Sequence, residues 1–458
     1  MNAEVKIQTP KNTKKKKSGK QLSNLQIVAL GYFTVVCLGT LLLLLPISSY
    51  NGTTFTEAFF TAVSASCVTG LVVVDTATHY TFFGQCVVLL LIQLGGMGFM
   101  TIGVQFMVLM RKRIGLKERE IMLESINGLQ VGGIVGLVQK IVLFALTVEL
   151  LGALALSLVF IPEFGVAQGI YYSIFHSISA FCNAGFDLMG IKEPYSSLVW
   201  YANDIWINLV MYALITLGGI GFLIWQDVHR HGLRFRKYTL HSKIVIAMSC
   251  ILSFGGGVLF FILEANTLHA GLLLQERILT ALFHSISCRT AGFNTFDIGG
   301  LSTGGALVTM ILMFIGGSPS STAGGIKTTT VAVIFLHTVA VVQGKKRAGA
   351  FGRRLEPETL NKAVAIVAIN LSFVIVGTIA ICAVQPLPLT EVLIEVSSAM
   401  GTAGLSAGIT RDLVPISRYL IAVIMFFGRV GSVSIAGALM EKRAKPAVEL
   451  PKEKIIVG

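Results

Sequence analysis

Hydrophobic positions along the chain fall into a repeating order of long and short apolar segments. Leu25 to Pro46 forms a run long enough to span a membrane, Thr54 to Ser66 only about a dozen residues of helical period, and Gly84 to Met110 a second long run. The order then returns three times. First long runs occupy 134–161, 240–264 and 361–384, short helical segments 167–181, 273–287 and 388–400, and second long runs 200–226, 303–343 and 418–440. A short segment cannot cross a bilayer, so it is expected to enter and turn back. The expectation is an all-α integral membrane fold with eight transmembrane spans, in four repeats of span, pore helix with loop, and span around a pseudo-fourfold axis.

Each short segment ends in a similar phrase: Cys67-Val68-Thr69-Gly70, Asn183-Ala184-Gly185, Thr290-Ala291-Gly292 and Thr402-Ala403-Gly404. The four glycines are separated by 115, 107 and 112 residues. Self-similarity at such a period sets the architecture. The boundaries that follow are repeat one at 23–113, repeat two at 131–231, repeat three at 240–347 and repeat four at 360–445. A basic tail at 1–22 and a C-terminal tail at 446–458 flank them.

Composition agrees with a membrane chain. Charged residues make up 13% and apolar residues 54%, with mean hydropathy +0.77, whereas soluble domains carry about 25% charged residues. The net charge of +13 does not indicate nucleic acid, because the basic residues lie between apolar runs. Parity places all linkers between repeats on one side. The tail and the basic segments 111–119, 230–243, 345–362 and 442–454 hold 28 of the 36 Lys and Arg residues. Lys and Arg accumulate on the cytoplasmic side, so both termini are expected inside the cell membrane. The basic linkers are also candidate anchors for anionic lipids. Seven cysteines without a C-x-x-C pair read as packing residues. Ala323-Gly-Gly-Ile-Lys327 fails the nucleotide-binding P-loop pattern, and no nucleophile–base or metal-ligand set points to an enzyme.

Backbone inside a bilayer survives only where protein or a water-filled cavity shields it. Four such loops meeting on an axis would form a ring of carbonyls able to replace the hydration shell of a monovalent cation. Each short helix would direct its negative C-terminal end at that axis. Asp75, Asp187, Asp297 and Asp412 follow the loops and are expected to concentrate cations outside. The alternative is that the glycines merely allow close helix crossing.

The second long runs carry Gly95-Gly-Met-Gly98 and Gly218-Gly-Ile-Gly221 in the first two repeats. In the third this expands to Gly316-Gly317-Ser318-Pro319-Ser320-Ser321-Thr322-Ala323-Gly324-Gly325, and no helix tolerates that density of Gly, Ser and Pro. The expected result is a loop over 316–327, ending at Lys327, between two half-helices. The fourth repeat places Arg429 at similar depth, and an intramembrane charge is functional by default. The reading is a gate: the loop obstructs the pore below the glycines and Arg429 helps hold it. The alternative is a packing defect beside a snorkelling arginine. Glu149 is expected to pair with Arg429 or Lys327 rather than a local polar group, and His176 and His284 to be hydrogen-bonded scaffold.

These motifs, over roughly residues 23 to 441, resemble the Ktr/Trk/HKT superfamily of potassium transporters, and most closely the bacterial KtrB-type ion-translocating subunit. The resemblance implies potassium held at filter backbone carbonyls, with glycine at 70 favouring potassium over sodium. It implies a gating role for the 316–327 loop and a homodimer. It also implies a separate cytoplasmic ring of KtrA-type regulatory subunits, the nucleotide being bound on that partner only, with no covalent cofactor here. Sodium permeation or sodium–potassium coupling is the nearest alternative, and a non-transporting scaffold or sensor a more distant one.

Overall fold

The computed structural model describes residues 23–98, 114–125, 133–232, 234–345 and 347–431, with isolated positions 101, 103, 107, 108 and 110. The two expected tails, most of 99–113 and residues 432–445 lie outside the described residues.

The first quarter opens with α1 (Asn24–Leu43), started by a reciprocal Ser23/Gln26 capping box and followed by Pro46. The short α2 (Phe55–Cys67) starts with the same device, Thr54 and Glu57. Its 13 residues rise about 20 Å, well under the ~30 Å of a hydrocarbon core. Helix α3 (Phe82–Met97) returns past α2 and ends at Gly98, φ +82°. The small helix α4 (Leu116–Ser125) rests on α1 through Ile121, packed with Val28 and Tyr32.

The second quarter contains α5 (Ile134–Phe164), whose 31 residues extend about 46 Å. Gly165, at φ +82°, reverses the chain into α6 (Val166–Phe181). The two helices press together where Gly169 faces the backbone of Phe160 and Ile161. Then follow α7 (Ile205–Gly219), capped by Asp204, and α8 (Phe222–His231). Instead of a continuous span over 200–226, these two meet at a bend of 95°. Gly221, φ +104°, allows the turn, and the Phe222 amide freed by it donates to the Ser320 carbonyl at 2.6 Å.

The third quarter comprises α9 (Leu240–Leu263), α10 (Leu274–Ser287), α11 (Thr303–Phe314) and α12 (Thr328–Val342), the last two separated by the Gly/Ser/Pro loop. A two-strand hairpin, β1 (Gly349–Ala350) and β2 (Arg353–Arg354), precedes the fourth. That quarter is α13 (Pro357–Val384), α14 (Leu389–Gly401) and α15 (Pro415–Val430).

Among the described residues, α1, α5, α9 and α13 are long and apolar enough to cross a membrane, and α7 with α8 makes a fifth if taken as one bent span. The outer face of α5 shows the solvent it is built for. Leu143, Leu146, Leu150, Leu154 and Leu158 are all more than half exposed along one stripe, while Val138, Ala145, Gly152, Leu156 and Phe160 face inward. An exposed leucine stripe suits lipid rather than water. The chain is a membrane protein with a core on the inner helix faces.

Candidate functional site: four converging tips and the loop beneath them

Each short helix ends in the same backbone manoeuvre. Val68, Asn183, Thr290 and Thr402 take φ of +57°, +58°, +75° and +51°, and two residues later Gly70, Gly185, Gly292 and Gly404 take +90°, +72°, +78° and +85°. Left-handed φ is rare for any side chain and costs most for β-branched Val and Thr, about 1–2 kcal/mol each. Four copies of such strain mark a site rather than a packing accident.

The four glycines are neighbours in space. A methyl carbon built on Gly185 would stand 2.8 Å from the Gly292 Cα, and one on Gly292 3.3 Å from that of Gly404. One on Gly404 would reach 3.2 Å from Gly70, and one on Gly70 3.0 Å from Gly185, closing the circuit. No side chain fits at any of the four.

The tips are held from within their own quarters. A polar group nine residues before the glycine grips the segment that leaves the tip in three cases. Tyr80 donates its hydroxyl to Thr61 at 3.1 Å, and the Leu188 amide donates to His176 Nε2 at 3.3 Å. Buried Glu395 accepts from the hydroxyls of Thr410 and of Ser406, the latter at 2.8 Å. In the third quarter His284 instead meets Thr309 on α11 at 3.0 Å. The imidazoles are therefore bonded scaffold, and Glu395 is a member of this set that the sequence pattern did not single out. Cys67, Cys182 and Cys288 are buried free thiols nearby. The hydroxyls of Thr69, Thr290 and Thr402 are buried and make no hydrogen bond to another protein group.

Above the tips lies a cleft of about 140 Å³ lined by all four glycines and by Asp75, Asp187, Asp297, Tyr195, Ser406, Thr410 and Arg411. Three of the four expected carboxylates are thus brought together. Asp412 is not among the lining residues, because the turn carrying it presents Arg411 to the cleft instead. Asp75 is largely committed to backbone, accepting from the amides of Ala77 (3.0 Å), Thr78 (2.9 Å) and Tyr195 (2.9 Å). Asp187 accepts from the Met189 amide at 2.9 Å. Burial and then the neighbouring Asp75 carboxylate push it up to about 7.

Below the tips runs the segment 315–327, closed at its neck by a parallel bridge between Ile315 and Ile326. It is tied to α12 by the Thr328 amide on the Gly317 carbonyl at 3.1 Å and by the Ser318 and Thr328 hydroxyls at 3.2 Å. The Ser318 and Thr322 amides donate to the carbonyls of Gly219 and Gly218 at 3.1 and 3.2 Å, and the Thr322 hydroxyl to that of Phe181 at 3.1 Å. Gly324 lies against the Thr402 side chain, with no room for a methyl, and Gly325 against Gly401. Lys327 turns its amine onto the carbonyls of Ala323 (2.7 Å) and Gly324 (3.3 Å). From α15, Arg429 donates to the Thr322 carbonyl and to those of Gly95 and Gly96. The loop, the first quarter and the fourth are joined by that guanidinium. Of the loop residues, Gly316, Gly317, Pro319, Ser320, Ser321 and Ala323 complete the irregular segment between these anchors.

Glu149 pairs with neither Arg429 nor Lys327. Its carboxylate accepts from the Gln93 amide at 3.1 and 3.0 Å, with the Cys182 thiol at 3.9 Å. The two cations are satisfied by backbone carbonyls, which leaves the acid to a neutral local donor. Arg289 is likewise held by neutral groups, the Ser249 carbonyl and the Ser253 hydroxyl of α9.

The TrkH family, described as cation transport proteins, matches residues 7–444. The chain belongs to this cation-transport family. It is 40% identical over 454 residues to the potassium/sodium uptake protein NtpJ of Enterococcus hirae, covering 97% of this chain and 99% of that one. It is 38% identical over 435 residues to the Ktr system potassium uptake protein B of Bacillus subtilis, covering 94% and 96%. The crystal structure of the potassium transporter TrkH from Vibrio parahaemolyticus aligns with a TM-score of 0.73 over 93% of this chain and 86% of that one. At 18% identity that likeness concerns the fold, which is TrkH-like. Relatives in this family are cation transporters, not enzymes.

Proposed function

We propose that this chain is a potassium-selective uptake pathway of the cell membrane, driven by the ion gradient and membrane potential. The observation that carries the reading is the closed circuit of Gly70, Gly185, Gly292 and Gly404 beneath a carboxylate-lined cleft. In it the filter comprises residues 67–70, 183–185, 290–292 and 402–404, potassium sitting on their backbone carbonyls. Alternating left-handed residues at each tip support this, since they permit successive carbonyls to turn to one side. The four repeats, with the boundaries given above, supply eight spans and leave both termini cytoplasmic.

The loop 316–327 serves as the gate, held by Arg429 and Lys327. Its position against Thr402 and Gly401, directly under the fourth tip, supports that role. Because the relative in Bacillus subtilis is named as part of a Ktr system, we extend the reading to a homodimer working with a cytoplasmic KtrA-type nucleotide-binding ring. Sodium is the second reading, favoured by the name of the Enterococcus relative. Rubidium and sodium uptake into vesicles containing the purified protein tests both. Selective rubidium flux is expected. Absence of flux sinks the proposal, and equal sodium flux replaces it by the second reading.

A further inference from the structure

The cleft above the tips carries one charge of the wrong sign for gathering cations. Arg411 belongs to the turn Ile409–Asp412 of the fourth quarter and lines the cleft beside Tyr195 of the second. Its guanidinium carbon stands 4.6 Å from the centre of the Tyr195 ring, within cation–π range. Its Nε donates to the Gly408 carbonyl at 3.3 Å. Tyr195 is itself fixed, its amide on Asp75 at 2.9 Å and its hydroxyl on the Val73 carbonyl at 3.4 Å. Among the described residues no carboxylate lies within ion-pair distance of Arg411. The charge is therefore directed at the cleft by a clamp drawn from three quarters, and is not neutralised by a partner.

The same cleft holds the carboxylates of Asp75, Asp187 and Asp297. Hard oxygen donors of this kind suit divalent cations, and a doubly charged ion gains twice the Coulomb energy of a singly charged one. A divalent ion resting there would plug the path to the four glycines. A fixed positive charge opposes each ion in proportion to its valence, so it removes more from the divalent than from the monovalent. We infer that Arg411, clamped by Tyr195, is a valence-discriminating residue that keeps divalent cations from settling over the tips. The inference rests on the reading of this chain as a monovalent cation pathway.

The test is block of rubidium uptake into vesicles by external Ba²⁺ or Ca²⁺. Arg411→Gln is expected to lower the half-blocking divalent concentration roughly five- to tenfold and the apparent rubidium KM only about two- to threefold, the difference following from valence. Arg411→Lys should stay close to the parent protein, and Tyr195→Leu should fall between. An unchanged block curve for Arg411→Gln overturns the inference. If that variant transports too weakly to measure, Ba²⁺ titration of the purified protein decides: tighter binding than the parent is expected, and equal affinity overturns the inference. Absence of flux in the parent protein would instead remove the underlying function.

Discussion

The four tips and the loop beneath them are both irregular backbone between apolar helices, yet they are secured in different ways. The tips are tied chiefly within their own quarters, through Thr61 to Tyr80, His176 to Leu188 and Glu395 to Thr410. The loop has bonds of its own, Lys327 to Ala323 and Thr328 to Gly317, but it also depends on bonds from elsewhere: Gly218, Gly219 and Phe181 of the second quarter, and Arg429 of the fourth. Releasing a tip would break bonds at its own helix junction, whereas releasing the loop would in addition exchange bonds between quarters. That contrast fits the proposed reading of a fixed selector above a movable barrier.

The sharpest challenge to the fixed half is Gly292→Ala. The new methyl would sit 2.8 Å from the Gly185 Cα, at a φ of +78° that disfavours any side chain. With strain of about 3 kcal/mol, rubidium uptake should fall about a hundredfold while membrane yield is retained. Normal uptake would mean that the tips are not the path.

The movable half is challenged by Arg429→Gln, which removes the charged clasp on Thr322. Bonds to charged donors contribute about 1.5–3 kcal/mol, so uptake should rise roughly tenfold; deletion of 318–323 should raise it further. Unchanged flux in both would end the gate reading. Glu395→Ala tests the tie of the fourth tip. It should reduce potassium-over-sodium preference about threefold through a loosened tip, a loss comparable to one hydrogen bond, with Glu395→Gln largely restoring it. Equal selectivity in both variants would show that the tip does not need this anchor.

The smallest effect concerns pH. Asp187, pushed up to about 7, is neutral below that value and charged above it. Uptake at low external potassium should therefore increase about twofold as external pH rises from 6 to 8, and Asp187→Asn should flatten the profile. An unaltered profile in that variant would assign the pH dependence to another group.

Much of the helix order and the recurrence of the tip phrase could be read from the chain, because apolar period and a repeated motif are local signals. What was lost depended on neighbours. Gly218-Gly-Ile-Gly221 resembles a flexible but continuous helix. Its 95° bend exists because Ser320, a hundred residues later, accepts the freed Phe222 amide. Glu149 suggested a buried ion pair, since charge complementarity is visible in sequence and the supply of free backbone carbonyls is not. Arg411 and Asp412 are adjacent, and only the turn geometry decides which of them lines the cleft. Tyr195 carried no motif, and Glu395 lay within the repeated phrase without standing out from it; the role of each comes from contacts that the chain order does not show.

The loop has one further consequence. A tetramer of identical subunits would copy any insertion four times around its axis, crowding the centre. On the proposed reading the quarters are linked in one polypeptide, so an obstruction could be encoded in a single quarter, its clasp in a second and its docking ledge in a third. Each can then be altered by a substitution that leaves the remaining symmetry untouched.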